Sequence, residues 1–404
     1  MSCWETEPEH LASMNPSPIA ANERSDPHTD PLVTFVVPCY KLAHYLAECV
    51  HSILVQTYGN FEILIMDNCS PDDTPEVAQS FKDPRVNHVR NETNIGHLRN
   101  FNKGVSLASG KYVWLLSADD SLKSPQVLER FVEVMERNPN VGYVFCRALA
   151  VRGKKEAGVA QWTECGKDDQ VWDGLAFLKR LVRFNCIVMS ALMVRKECYE
   201  KVSFFALDLP HATDWYLWCM FALHYDVAYL AEPMATFRIH EESLTSLFNK
   251  DNSPVCLVDE LNVLWRIARE AEAVRNVSIR QECNAAIAIL AAVGREPHPL
   301  RVQRPGLSED DFSALLQHNA KDRKDELEIR ASVYMVLGDE RYWCGRYSKA
   351  AEAYAHALKI RPWSLKTWAK WLLSRTGKVG VWTRRELTSI AARAGLKGQS
   401  YPEP

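Results

Sequence analysis

Several signatures are missing from this sequence of 404 residues, and each absence narrows what the chain can be. Its twelve cysteines form no CxxC pair and no Cys/His spacing of a zinc site, so reduced and largely buried thiols are expected. That usage points to a cytoplasmic location. No run approaches the roughly 20 apolar residues that a membrane-spanning helix needs. Residues 1–30 show no basic start followed by an apolar core, so no secretory signal is expected there, and their polar content predicts a disordered tail. The net charge of −3 gives no global attraction to nucleic acid, which is not expected as a partner. Neither G-x-G-x-x-G nor a Walker pattern follows the first apolar run, which removes the backbone phosphate cradle of dinucleotide and P-loop enzymes.

What is present is a regular alternation of short apolar runs and amphipathic helices from Pro31 onward, which predicts an α/β unit with a mainly parallel sheet. Strands are expected at 32–37, 61–66, 86–89, 111–116 and 141–145, with helices between them. The polar stretch 150–172 predicts a mobile loop or a hairpin turn. Residues 190–194, 227–230 and 235–239 read as extended, and 173–184 and 213–224 as helical. Beyond about residue 249 only helical patterns remain.

Ligands of such sheets bind outside the carboxyl ends of the strands, where loops converge. Three polar loops fall there: Pro38-Cys39-Tyr40, Asp67-Asn68, and Ser117-Ala118-Asp119-Asp120. Tyr40 can stack on a flat base, and Asp67 or Asn68 can hydrogen-bond a base edge. Adjacent carboxylates repel, and a divalent cation of the Mg2+ or Mn2+ kind, sharing substrate phosphates, makes them tolerable. The pair thus points to a nucleoside diphosphate.

These motifs resemble the inverting glycosyltransferases of family 2, with the GT-A fold. The resemblance spans residues 32–246 and rests on several pieces in order. They are Val36-Val37-Pro38-Cys39-Tyr40, the stretch 52–58, Asp67-Asn68-Cys69-Ser70-Pro71-Asp72-Asp73-Thr74, Asn94-Ile95-Gly96 with Arg99-Asn100, the stretch 109–113, and Ser117-Ala118-Asp119-Asp120. It implies a Rossmann-like sheet flanked by helices, binding a UDP- or dTDP-sugar. Pro38, Tyr40, Asp67, Asn68, Arg99, Asn100 and Asp119 would line the donor site. Asp119, Asp120 and His240 would hold Mn2+ or Mg2+. Ser117 stands at the first position of the family's Asp-x-Asp motif, which leaves open how Asp119 and Asp120 divide metal and sugar contacts. Asn68 stands where many members carry a second Asp.

Inverting transfer needs a base to take the proton of the attacking hydroxyl. The resemblance places it at Asp214, in Thr213-Asp214-Trp215-Tyr216-Leu217-Trp218. A helix N-cap at Thr213 or Asp214 would look the same in sequence. Phe237-Arg238-Ile239-His240 resembles the family's closing motif, near the diphosphate.

In the last third, Tyr334, Leu337, Gly338, Ala350, Tyr354, Ala357 and Pro362 match the spacing of one tetratricopeptide repeat at 331–364. From Lys359 to Pro404 there are ten Lys or Arg against two Glu, with Trp363, Trp368, Trp371 and Trp382 interleaved. That mixture suits a protein partner or peripheral docking at the inner face of an anionic membrane. The expected layout is therefore a tail at 1–30, a GT-A domain at 31–250 and an α-helical domain at 251–404. Within the GT-A domain, 31–150 would bind the nucleotide-sugar and 151–250 a glycan or polyprenyl-linked acceptor. The expected activity is metal-dependent hexosyl transfer in surface polysaccharide synthesis. The competing reading is a non-catalytic scaffold in which a degenerate transferase domain displays the helices.

Overall fold

The structure is a computed structural model that describes residues 16–19, 30–153, 155–250, 254–293 and 306–376. The chain divides into two units, one running from Asn15 to Asp251 and one beginning at Asn252.

The first unit opens with β1 (Ser17–Pro18), β2 (Val33–Cys39), α1 (Ala43–Leu54), β3 (Phe61–Asp67), α2 (Thr74–Ser80), β4 (Val86–Arg90), α3 (His97–Leu107) and β5 (Tyr112–Leu115). It continues through α4 (Val127–Arg137), β6 (Val141–Arg152), β7 (Lys155–Val159), β8 (Gln170–Trp172), α5 (Gly174–Leu181) and β9 (Leu192–Arg195). It ends with α6 (Lys196–Val202), α7 (Thr213–Ala222), β10 (Asp226–Arg238) and α8 (Leu244–Lys250). Among the described residues the strands form a ten-stranded sheet in the order β1-β8-β10-β6-β9-β5-β2-β3-β4, with β7 paired to β6. The pairs β4-β3, β3-β2, β2-β5 and β6-β10 are parallel. β2 is buried over its whole length, as expected of a strand covered on both faces.

β9 runs antiparallel between β5 and β6. A strand in this sense begins at the edge where its neighbours end, so the residues entering β9 join the loops that leave β5 and β6. The two extended runs expected at 227–230 and 235–239 are one strand, β10, whose register against β6 shifts on either side of Pro233. Proline donates no ladder hydrogen bond, and the break in apolar pattern follows from that local irregularity. The stretch 150–172 forms a hairpin of β6 with β7, followed by a 3₁₀ turn at Gln161–Thr163 and β8. Part of the tail expected to be disordered instead pairs: Ser17 and Pro18 lie antiparallel to Val171 and Gln170. Residues 1–15 and 20–29 lie outside the described residues.

The second unit is helical in its described residues: α9 (Val255–Ala273), α10 (Val277–Val293), α11 (Glu309–Asn319), α12 (Arg323–Trp343), α13 (Tyr347–Ile360) and α14 (Leu365–Arg375). α12 and α13 approach closely because position 338 has no side chain. A Cβ on Gly338 would fall 2.4 Å from Cε1 of Tyr354. The Tyr354 hydroxyl donates to Asp339 at 2.7 Å, and Lys370 of α14 reaches the other oxygen of that carboxylate at 2.5 Å. No helix among the described residues is long and apolar enough to cross a membrane.

Candidate active site

The loops leaving β2, β3 and β5 are stitched together by their own backbones. The Asn68 amide donates to the Cys39 carbonyl at 3.0 Å, and the Ala118 amide to the Pro38 carbonyl at 3.3 Å. Pro38 is buried at the end of β2, and Tyr40, just beyond it, is 40% exposed with the Lys41 ammonium over its ring. Lys41 adopts a left-handed backbone at φ 60°. Its amide donates to the Ser70 hydroxyl at 3.2 Å, and the Ala43 amide donates to Asp72 at 3.1 Å, so this turn is held by the loop after β3. Burial pushes the Cys39 thiol up to about 12, which keeps it neutral beside the site.

Asp67 and Asn68 face inward. One Asp67 oxygen accepts the Ser70 amide at 2.8 Å, while the other accepts Arg90 at 2.5 Å and lies 3.3 Å from Nε2 of His88. Asn68 uses both ends of its amide: the oxygen accepts from the Ile95 backbone at 3.0 Å and from Asn91, and the nitrogen donates to Asn94 at 2.9 Å. A carboxylate there could not donate to Asn94, which accounts for Asn in place of a second Asp. Asn100 donates to the Met66 carbonyl and accepts from Asn91, both at 2.8 Å. Arg99 is exposed on α3. Hydrogen bonds thus link Asn68, Asn91, Asn94 and Asn100, and the Asp67 and Asn100 side chains shape the loops.

Ser117 to Asp120 makes a tight turn closed by the Asp120 amide on the Ser117 carbonyl at 2.9 Å. Its two carboxylates point to different surroundings. Oδ2 of Asp119 lies 2.8 Å from Nε2 of His240, and both side chains keep 13% exposure. Asp120 is buried, and its carboxylate accepts the Arg238 amide at 2.8 Å and the Ser190 hydroxyl. Burial first, and the Asp119 charge second, raise the Asp120 carboxyl well above the ordinary carboxylate range. Asp119, Asp120 and His240 therefore do not form the expected three-ligand set. No cluster of three His, Cys, Asp or Glu suited to a metal occurs among the described residues. The residues that fit a divalent cation are Asp119, with an unbonded carboxylate oxygen, and His240 beside it; one or two protein ligands suffice when substrate phosphates supply others.

Arg238, which the sequence marked only as part of a closing motif, locks this corner. Its guanidinium, 4% exposed, donates to the Asp119 carbonyl at 2.6 Å, the Gly153 carbonyl at 2.6 Å and Glu48 at 2.7 Å. It also lies over the Tyr45 ring, 4.6 Å from its centroid, and that ring packs against His240.

Asp214 sits in the first turn of α7, where Ala212 occupies the N-cap position and no side chain caps the helix. Its carboxylate instead accepts the adjacent Trp215 amide at 2.6 Å and a hydrogen bond from Asn185. Burial raises the Asp214 carboxyl above its ordinary range, against the opposing effects of the Trp215 amide and then of His211. A more basic carboxylate at the mouth of a helix is suited to accepting a proton.

Residues 34–197 match the family model described as Glycosyl transferase family 2. Over that segment the chain is similar to family 2 glycosyltransferases. Among curated proteins, an uncharacterized glycosyltransferase of Haemophilus influenzae is 27% identical over 232 residues, covering 55% of this chain and 70% of the relative. Glycosyltransferase GlyG of Streptococcus pneumoniae is 36% identical over 112 residues, 27% of this chain and 37% of its own length. TuaG of Bacillus subtilis, a glycosyltransferase named for teichuronic acid biosynthesis, is 34% identical over 110 residues, 27% of this chain and 44% of its own. The fold of S. aureus TarS 1-349, solved in complex with UDP, superposes with a TM-score of 0.54 at 15% identity, covering 85% of this chain and 91% of that one. The architecture around residues 34–197 is thus GT-A-like, followed by helices.

Proposed function

We propose that this chain is an inverting glycosyltransferase that moves a hexose from a UDP- or dTDP-sugar to a hydroxyl of a glycan or polyprenyl-linked acceptor in surface polysaccharide synthesis. The observation that carries the reading is the Asp119–His240 pair, partly open at the strand ends, with the Tyr45 ring packed on His240. The names of the relatives support the class of product, and the domain they share supports the donor class. A divalent cation on Asp119 and His240, Mn2+ or Mg2+, would offset the charge developing on the leaving diphosphate. Tyr40 would stack on the base, with Arg99 able to reach the donor from α3. Asp214 takes the acceptor proton as the hydroxyl attacks the anomeric carbon, and the raised affinity of this carboxyl for protons favours that role.

The test is nucleotide release from a panel of nucleotide sugars with Mn2+ or Mg2+. Turnover of at least one donor, lost in Asp119→Ala, is expected. Absence of turnover together with absence of metal-dependent nucleotide binding would favour the scaffold reading.

For location, we propose cytoplasmic protein docked at the inner face of an anionic membrane. Around α14, Trp363, Leu365 and Leu372 are 78%, 83% and 57% exposed, and Lys359, Lys366 and Arg375 are exposed beside them. Apolar side chains among cations match a surface of anionic headgroups over acyl chains. Trp382, counted with this group in sequence, lies outside the described residues. The spacing of a tetratricopeptide repeat at 331–364 fits a role for α12 and α13 in displaying this face. Flotation with phosphatidylglycerol vesicles should be lost when the protein is cut after Pro362, and equal flotation of both forms would remove the proposal.

A further inference from the structure

Asp214, the proposed base, and Asp120, in the turn that also carries Asp119, are both gripped by one short segment, residues 185–190. At its start, the Asn185 side chain hydrogen-bonds Asp214, while its oxygen accepts the Ile187 amide at 3.1 Å. At its end, the Ser190 hydroxyl bonds Asp120 and accepts the Ser117 amide at 3.2 Å. The Ser190 carbonyl also accepts the Trp114 indole at 2.9 Å, which fixes the segment to β5. Between these ends, Cys186, Ile187 and Val188 are buried, and the Cys186 sulfur lies 3.4 Å from that of Cys165. Every anchor is either a core contact or a hydrogen bond to a named partner, so the segment has few ways to relax.

We infer that residues 185–190 act as a fixed spacer, with Asn185 positioning Asp214 and Ser190 positioning the Asp119-Asp120 turn, so that the base and the diphosphate end of the site keep a constant separation. The inference rests on the transferase reading and adds to it two positioning residues. A proton acceptor must lie within hydrogen-bond reach of the attacking hydroxyl, and a misplacement of about 1 Å can cost on the order of 100-fold in rate. Asn185 also contributes a second effect. Its hydrogen bond favours the charged form of Asp214, as do the Trp215 amide and the neighbouring His211 side chain. Removing the Asn185 donor therefore moves the acid limb of the rate profile to higher pH.

The experiment uses the full chain with Mn2+ and the nucleotide sugar that the wild type turns over, measuring kcat and KM for the donor across pH. Asn185→Asp keeps the shape of the side chain and replaces its donor with a second carboxylate beside Asp214, and Asn185→Leu, which removes the donor without adding charge, should displace the acid limb in the same direction. A fall in kcat of about 10-fold to 100-fold with unchanged donor KM, and an acid limb displaced upward, is the expected result. Ser190→Ala should lower kcat and raise donor KM together, and Ser190→Thr, which keeps the hydroxyl, should restore both. An active wild type whose Asn185→Asp variant keeps its kcat and its acid limb would overturn the spacer alone. A wild type that releases nucleotide from no donor would overturn the transferase reading and the spacer with it. If Asn185→Asp fails to fold, the Ser190→Ala and Ser190→Thr pair decides: equal kinetics in both overturn the inference.

Discussion

Nε2 of His240 stands 2.8 Å from Oδ2 of Asp119 although 121 positions separate them in sequence. The neighbouring Asp120 makes no comparable contact and is turned toward Ser190 and the Arg238 backbone. Adjacent, chemically identical residues thus have different tasks, and substitutions at them should fail differently. Asp119→Ala should abolish Mn2+-dependent binding of UDP or dTDP while leaving the melting temperature near that of wild type. Asp120→Ala should cost roughly 1–3 kcal/mol of stability, because the Arg238 amide and Ser190 hydroxyl lose a buried acceptor. Calorimetric titration with nucleotide and Mn2+, alongside urea unfolding, separates the two; identical behaviour would remove the distinction.

Asp214→Asn is expected to keep donor binding and lower turnover by about 100-fold or more, the usual contribution of a positioned base. Its effect on stability has a definite sign. The folded carboxyl is raised above its unfolded value, so the native state holds its proton more tightly and loses stability as pH rises through that window. Asn carries no such cost, so the variant should melt at a higher temperature than wild type at neutral pH, and the difference should shrink as pH falls below the unfolded carboxylate range. Thermal melts at neutral and acidic pH give the answer, and a variant that melts lower at both would make Asp214 a structural residue.

Arg238→Met should be damaging in two ways. It leaves the Asp119 and Gly153 carbonyls and Glu48 without their cation, at a cost of about 2–4 kcal/mol for a buried charge-assisted network. It also frees the turn that carries Asp119, so nucleotide affinity should fall in the same variant. Wild-type affinity in a destabilised Arg238→Met would show that the turn keeps its place without the arginine.

Gly338→Ala tests the packing of the helical unit. The added methyl would fall 2.4 Å from the Tyr354 ring, and overpacking of this kind costs roughly 1–3 kcal/mol. Denaturant unfolding followed by fluorescence should register the loss, whereas Gly153→Ala, at an open turn, should be governed by backbone strain alone.

The strands β2, β3 and β5 were readable because a strand covered on both faces leaves a continuous apolar run, and the polar residues just past each run mark the edge where ligands bind. Asp119 was marked that way, and His240 by the resemblance of Phe237-Arg238-Ile239-His240 to the family's closing motif. Asp67 was misjudged in its surroundings: nothing local in sequence announces that Arg90, on the next strand, will take its carboxylate. Asn185 and Ser190 were passed over for a different reason. They precede a strand, and only the antiparallel sense of β9, a tertiary fact, brings residues before a strand to the edge that otherwise collects residues after one. The Pro233 irregularity likewise split one strand into two in the sequence pattern, since register shifts leave no signature beyond a proline.

The span from Asn185 to Ser190 also sets a rule for how this chain can change. One residue added or removed there moves an end by about 3.8 Å, the distance between successive Cα atoms, which exceeds the gap of roughly 3–3.5 Å across which reacting atoms must meet. Change of length is closed to the segment, and the β6–β7 turn is tied to the same corner, since the Gly153 carbonyl accepts from the arginine that holds the Asp119 turn.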